Sequence, residues 1–170
     1  MQTRFWRIPE LEQLECIRVT SSRHCFPRHF HETYVIEVVE EGRNECWCGG
    51  HIYSAGPDDI LVIHPGEIHT GYPAGSTSLA YRSFYPSKSL IAGIHHCYDH
   101  AMPRFRSNVI RDRRLAGMLR QAHILLEQGD NKIAGQRLLI LALGELLIHY
   151  SDVQGISMGD EATSVAFNRV

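Results

Sequence analysis

HFHETYVIE, residues 29–37, decides the fold. Side chains on a β-strand switch faces at every residue, so positions 29, 31, 33, 35 and 37 share one face. That face carries His29, His31, Thr33, Val35 and Glu37. The other carries Phe30, Glu32, Tyr34, Ile36 and Val38. Two imidazoles and a carboxylate projecting together build a metal site, a polar ligand pocket or a satisfied polar core. The surrounding sequence decides between them.

Outward from this stretch, the first half of the chain alternates. LECIRVT (14–20), FHETYVIEVVE (30–40), NECWCGG (44–50), DDILVIH (58–64) and SLAYRSFY (78–85) are short runs rich in β-branched and aromatic residues. Turn clusters EEGRN, GGH, SAGPDD, HPGE and YPAGST separate them. Short strands with Gly/Pro/Asn/Asp punctuation at near-regular spacing predict an antiparallel sandwich or small barrel. EEGRN reads as a hairpin turn with Gly42 near its apex.

The second half changes period. Leu115, Met118, Leu119, Ala122, Leu125 and Leu126 fall at three- and four-residue steps, which predicts one amphipathic helix. Asp112 caps its start and Gly129 ends it. Asp130 or Asn131 then caps a second helix, NKIAGQRLLILALGELLIHY. LLILALGELLI is apolar almost all the way round, so it needs cover on more than one side. A second copy of the chain is the simplest partner, through residues 113–150; the alternative is burial within one monomer. SKSLIAGIHHCYDHAMPRF (87–105) reads as a short helix and connector stopped near Pro103. Residues 151–170 read as a polar linker or tail.

Composition narrows the class. The 170 residues are 44% hydrophobic and 21% charged, as expected of one globular domain. A formal charge of −2 supplies no global positive field for DNA or anionic membrane. No apolar run approaches the length of a membrane span. MQTRFWRIPELEQ has no apolar signal-like core, and five cysteines form an odd set, so a reducing cytoplasm is expected. Cys46 and Cys48 flank Trp47 and read as two small semi-buried thiols, with a soft-metal pair as the sharper alternative. His96 and His100 are i, i+4 neighbours on a helix, a metal pair or a solvated connector. Arg104, Arg106, Arg111, Arg113 and Arg114 read as a solvated basic face rather than a DNA contact.

A second histidine signal follows the fourth run. In ILVIHPGEIHTG a Pro-Gly turn brings His69 back toward the 29–37 stretch. His29, His31, Glu37 and His69 would be three imidazoles and a carboxylate, a set that suits zinc, iron, nickel or manganese. HFH, the downstream Glu37, Gly42, then Pro65-Gly66 and His69 resemble the two short motifs of the cupin superfamily. Cupins are small β-barrels of the jelly-roll type, and their metal sites use this histidine/glutamate set. Glu37 follows the second histidine by six residues where four or five is usual. Pro65 and His69 are one residue closer than usual.

RHFHETYVIEVVEEG (28–42), PDDILVIHPGEIHTG (57–71), YRSFYPS (81–87) and the helical segment after them resemble AraC-type transcriptional regulators over about residues 24–150. The resemblance implies a mostly β fold with C-terminal α: a cupin-like effector barrel with an N-terminal arm (1–86), a helical dimerisation segment (87–150) and a linker (151–170). Two helix-turn-helix units would then follow, and this chain has no room for them, so promoter DNA would be reached only through a domain outside it. The implied function is non-enzymatic: a sensor whose barrel binds a small-molecule effector and alters the subunit arrangement. His29, His31, Glu37, His69, Tyr81 and Arg82 would contact a hydroxyl, amine or carboxylate, and Trp47 would stack on an apolar face. Core packing is the plainer role for Trp47 and Tyr81. The alternatives are a small metal-dependent dioxygenase or isomerase, or a regulator whose effector is the metal held by His29, His31, Glu37 and His69.

Overall fold

The computed structural model describes residues 2–75, 78–95 and 102–152. Two antiparallel sheets face each other. Sheet A runs in the spatial order β1 (Gln2–Ile8), β2 (Leu14–Ser22), β9 (Leu79–Tyr85), β4 (Val35–Glu41), β7 (Ile60–Ile63), β10 (Val109–Ile110). Sheet B runs β3 (Phe26–His29), β8 (His69–Pro73), β5 (Asn44–Cys48), β6 (His51–Ala55). Helices α1 (Lys88–His95), α2 (Arg113–Gln128) and α3 (Lys132–Tyr150) follow. This is the expected antiparallel barrel with C-terminal helices.

Sheet A separates two cores, and strand alternation assigns each side chain to one of them. On β4, Val35 and Val39 join Leu61, Ile63, Leu79 and Tyr81 between the sheets. Ile36 and Val38 join Ile60, Val62 and Phe84 beneath the helices. A strand buried on both faces reads as a continuous apolar run, as VIEVV and ILVI do. Each fully buried side chain of this kind stabilises the fold by roughly 1.5–3 kcal/mol. Gly42 turns β4 into β5 with φ +76°, and a Cβ there would sit 2.2 Å from the Ser78 carbonyl oxygen, so only glycine fits.

HFHETYVIE is not one strand. β3 ends at His29, β4 begins at Val35, and a loop joins them. The loop is pinned: the Tyr34 N–H donates to the Pro86 carbonyl (3.0 Å), and the His31 carbonyl accepts from the Gly66 N–H (2.7 Å). Tyr34 is fully buried and its hydroxyl donates to the Pro103 carbonyl (2.8 Å). The N-terminal stretch forms an edge strand of sheet A. Gln2–Ile8 pairs with β2 from Gln2↔Thr20 to Ile8↔Leu14.

Asp112 caps α2 by accepting from the Leu115 N–H (2.9 Å), and Gly129 ends it in the left-handed region. Asn131 caps α3 by accepting from the Ala134 N–H (3.3 Å). The helices cross closely at Gly135, where a Cβ would lie 2.9 Å from Leu126 Cγ. By length and composition alone α3 could cross a membrane, contrary to the expectation that no stretch would qualify. Its Leu139, Leu143, Leu146 and Leu147 are instead buried in the core beneath sheet A. Ile133, Leu141 and Ile148 of the same helix are exposed.

The segment after α1 is tied down at both ends of the domain. The Phe105 N–H donates to His64 Nε2 (2.8 Å), whose Nδ1 faces Glu67 Oε2 (3.0 Å). Arg104 and Asp152 exchange two hydrogen bonds of 2.8 Å, and Phe105 bridges Ser151. His96, Cys97, Asp99, His100 and the tail from 153 onward lie outside the described residues.

Candidate functional site

Between the two sheets lies a cavity of about 360 Å³. That size suits a small organic ligand. Its walls are largely aliphatic: Ile17, Val19, Val35, Leu61, Ile63 and Leu79. Two clusters of polar groups stand out among its lining.

The first set is three histidines. His29 at the end of β3 and His69 at the start of β8 are cross-strand partners, and His31 reaches in from the loop. Ring centroids are 4.3 Å apart for His29–His69, 5.0 Å for His29–His31 and 5.3 Å for His31–His69. One nitrogen from each ring lies within 4.8 Å of one from each of the others. His29 Nδ1 donates to the Pro27 carbonyl (2.7 Å), and His69 Nδ1 donates to the Glu67 carbonyl (2.9 Å). These bonds occupy each Nδ1 and leave each Nε2 as the nitrogen available to a ligand. Burial and the neighbouring His29 and His69 push the His31 imidazole down to about 4. Burial lowers His69 as well, against the pull of its bond to Glu67. Neutral imidazoles with oriented lone pairs are the form that binds a transition metal or accepts a hydrogen bond.

The second set is Glu37 with Asn44. Glu37 is fully buried; it accepts from Asn44 Nδ2 (2.6 Å) and from the Ser83 hydroxyl (3.3 Å). Burial pushes its carboxyl up to about 7, with both hydrogen bonds opposing. Asn44 Oδ1 is buried without a donor.

Of the four residues expected to share a metal, the structure brings three together. Glu37 lines the same cavity but does not join the histidines, because Asn44 and Ser83 hold its carboxylate. Tyr81 lines the cavity. Trp47 and Arg82 do not. Strand parity turns Cys46 and Cys48 inward and Trp47 outward, where the Arg28 guanidinium covers its ring at 4.3 Å. Arg82 alternates with Tyr81 and Ser83 and points beneath the helices, to Glu127 (2.6 Å), Glu40 (2.7 Å) and His123 Nδ1 (3.1 Å). Cys46 is a buried cavity thiol pushed up to about 12 by burial, so it is unreactive. Asn44, Thr70 and Tyr85 also line the cavity, and no sequence motif marks them as site residues. Asn44 reads as a turn residue beside Gly42, yet its shared parity with Cys46 marks it as inward.

The domain is thus a barrel closed by two facing sheets, with helices on the outer face of one and a mixed polar and aliphatic cavity inside. A sequence model of the AraC-like ligand binding domain matches residues 13–148, and the chain belongs to that family. It is 28% identical over 163 residues to YbfI of Bacillus subtilis (strain 168), an uncharacterized HTH-type transcriptional regulator. The match spans 92% of this chain and 58% of YbfI. The fold is similar to that of the AraC-like transcriptional activator CuxR (TM-score 0.61, 15% identity), covering 91% of this chain and 58% of CuxR. It is also similar to apo ToxT of Vibrio cholerae (TM-score 0.54, 7% identity), covering 79% of this chain and 53% of ToxT. The chain therefore spans a little over half the length of each of these relatives.

Proposed function

We propose that the chain is the sensor part of an AraC-type regulator, acting in the cytoplasm by binding rather than by catalysis. A small molecule in the barrel of residues 1–86 biases how two copies pair through residues 113–150. Residues 151–170 lead toward a DNA-binding part that acts on a promoter. The observation that carries this reading is the shared wall. Sheet A presents Val35, Glu37 and Tyr81 to the cavity, and Ile36, Val38 and Arg82 to α2 and α3. An effector shifts the subunit arrangement only to the extent that it binds one arrangement better. The test is a fragment screen of neutral, cationic and anionic molecules read by methyl NMR. Binders are expected to move the Val35, Leu61, Ile63 and Leu79 methyl signals, and Ile63→Trp is expected to abolish those shifts by filling the cavity. A broad screen that leaves these methyls unmoved refutes the reading.

A second reading rests on the three-histidine cluster: a divalent transition metal is itself the effector or completes the effector site. The ring nitrogens of His29, His31 and His69 would hold it, and three ligands leave a coordination position open for an effector atom. Expected is one zinc or nickel ion per chain by calorimetry and metal analysis, lost in His69→Ala. Binding that changes dimer affinity without turnover of any substrate favours a metal sensor over a metal-dependent dioxygenase or isomerase. Equal metal uptake by His69→Ala and the parent chain rules the site out.

A further inference from the structure

We infer that the ligand of this cavity is a compact apolar amine, its ammonium group held between Glu37 and Asn44. This deepens the sensor reading above and rests on it. Glu37 is an acid enclosed in the barrel, and both of its hydrogen-bond donors, Asn44 Nδ2 and Ser83 Oγ, are neutral. No lysine or arginine is among the described residues lining the cavity. Arg82, next to Ser83 on β9, is turned to the other side of the sheet and satisfied by Glu127 and Glu40. A carboxylate enclosed without a countercharge is costly, and a cation brought by the ligand removes that cost.

Asn44 supplies the second, independent sign. Its Oδ1 has no donor, and the residue is only 4% exposed. A buried acceptor left open costs about 1–3 kcal/mol, so a site built this way expects a donor from outside the chain. Gly71 stands next to it: a Cβ there would lie 3.7 Å from Oδ1, and the missing side chain keeps that approach clear. An ammonium group carries three N–H donors and no acceptor. It satisfies the Glu37 carboxylate and Asn44 Oδ1 together.

The aliphatic part of the lining favours an apolar body. Beside the histidines, Thr3, Thr70, Tyr81 and Tyr85, the side chains of Ile17, Val19, Val35, Leu61, Ile63 and Leu79 offer no hydrogen bond and bury a hydrocarbon frame well. An acid would set its own negative charge against Glu37. The cavity thus favours one positive end on an otherwise apolar frame.

Calorimetry with three isosteric probes tests this, with EDTA present to keep metals from the histidines. The probes are cyclohexylmethylamine, cyclohexylmethanol and cyclohexanecarboxylate. The amine is expected to bind at least about tenfold more tightly than the alcohol, and the carboxylate not at all. Glu37→Gln is expected to bring amine and alcohol within about threefold of each other. Should Glu37→Gln fail to fold, the probe series on the unaltered chain decides alone. Alcohol or carboxylate binding as tightly as the amine overturns the amine proposal and leaves the cavity as the effector site. A preference for the amine that persists in Glu37→Gln overturns it too. If no probe binds while the methyl NMR screen finds other cavity ligands, only the amine proposal falls. If neither experiment finds a cavity ligand, both fall.

Discussion

Replacing Arg82 with alanine is expected to cost about 3–5 kcal/mol of folding stability, because it breaks a buried charge pair from one side only. The Arg82 side chain is 6% exposed, and so is that of its partner Glu127. The guanidinium bridges Glu127 on α2 and Glu40 on β4, and contacts His123 Nδ1. His123 is buried with its Nε2 against the Ile17 carbonyl (3.1 Å), and burial beside Arg82 pushes its imidazole down to about 3. In the parent chain it is therefore neutral, and the guanidinium carries the pairing. Alanine leaves the buried Glu127 carboxylate without that partner, which is where the cost arises. Arg18 and Arg4 also reach Glu127, at 3.3 and 3.2 Å, but their side chains are 39% and 63% exposed. Surface pairs of that kind recover about 0.2–1 kcal/mol. The double change Arg82→Met with Glu127→Leu is expected to cost far less, because it removes both charges together. Urea denaturation of the two variants is the measurement. A loss below about 1 kcal/mol in Arg82→Ala would show that the outer arginines suffice.

Charging the outer face of α3 is expected to dissolve the proposed homodimer. Ile133, Leu141 and Ile148 are 65%, 62% and 55% exposed, and they recur at eight- and seven-residue steps along one helix. A stripe of that kind on a helix that is apolar all round marks a docking face. Leu141→Glu with Ile148→Glu places like charges across a two-fold contact, where each residue meets its own symmetry neighbourhood. Association is expected to weaken by about a hundredfold or more, close to 3 kcal/mol. Both side chains face solvent within the monomer, so its melting behaviour should hold. Sedimentation equilibrium reads the outcome. A parent chain that stays monomeric at tens of micromolar, or a charged variant that stays dimeric, removes residues 113–150 as the pairing surface.

Much of the architecture is legible where one period governs a long segment. Asp112, Gly129 and Asn131 mark the ends of α2 and α3 because capping chemistry is local. β4 and β7 are legible as apolar runs. β1, β3 and β6 do not stand out, since edge strands such as FPRH and HIYSA carry charges and histidines on open faces, and β8, though paired on both sides, is a short HTGYP run with Gly and Pro. The opening stretch shows both outcomes at once. A loop breaks it between His29 and Val35, yet His29, His31, Val35 and Glu37 all line the cavity, as simple alternation requires. Parity survives the break because the loop is pinned at Tyr34 and His31. Arg82 shows the converse. A polar residue on a barrel strand looks like a ligand contact, but sequence gives no way to tell that Glu127, forty-five positions later, lies beneath the same strand. Trp47 is outward by the parity of Cys46 and Cys48, and that signal is present in the sequence.

Glu67 has a position that joins two ends of the domain. Its carbonyl holds His69 by Nδ1, while its carboxylate takes His64 and Arg104 (3.2 Å). His64 in turn holds the backbone of Phe105, and Arg104 is clasped to Asp152. One acidic residue thus fastens a cavity histidine by its backbone and the segment around Arg104 and Phe105 by its side chain. The cavity wall and the Arg104–Asp152 clasp therefore share one residue, and removing its carboxylate would unfasten both His64 and Arg104 at once.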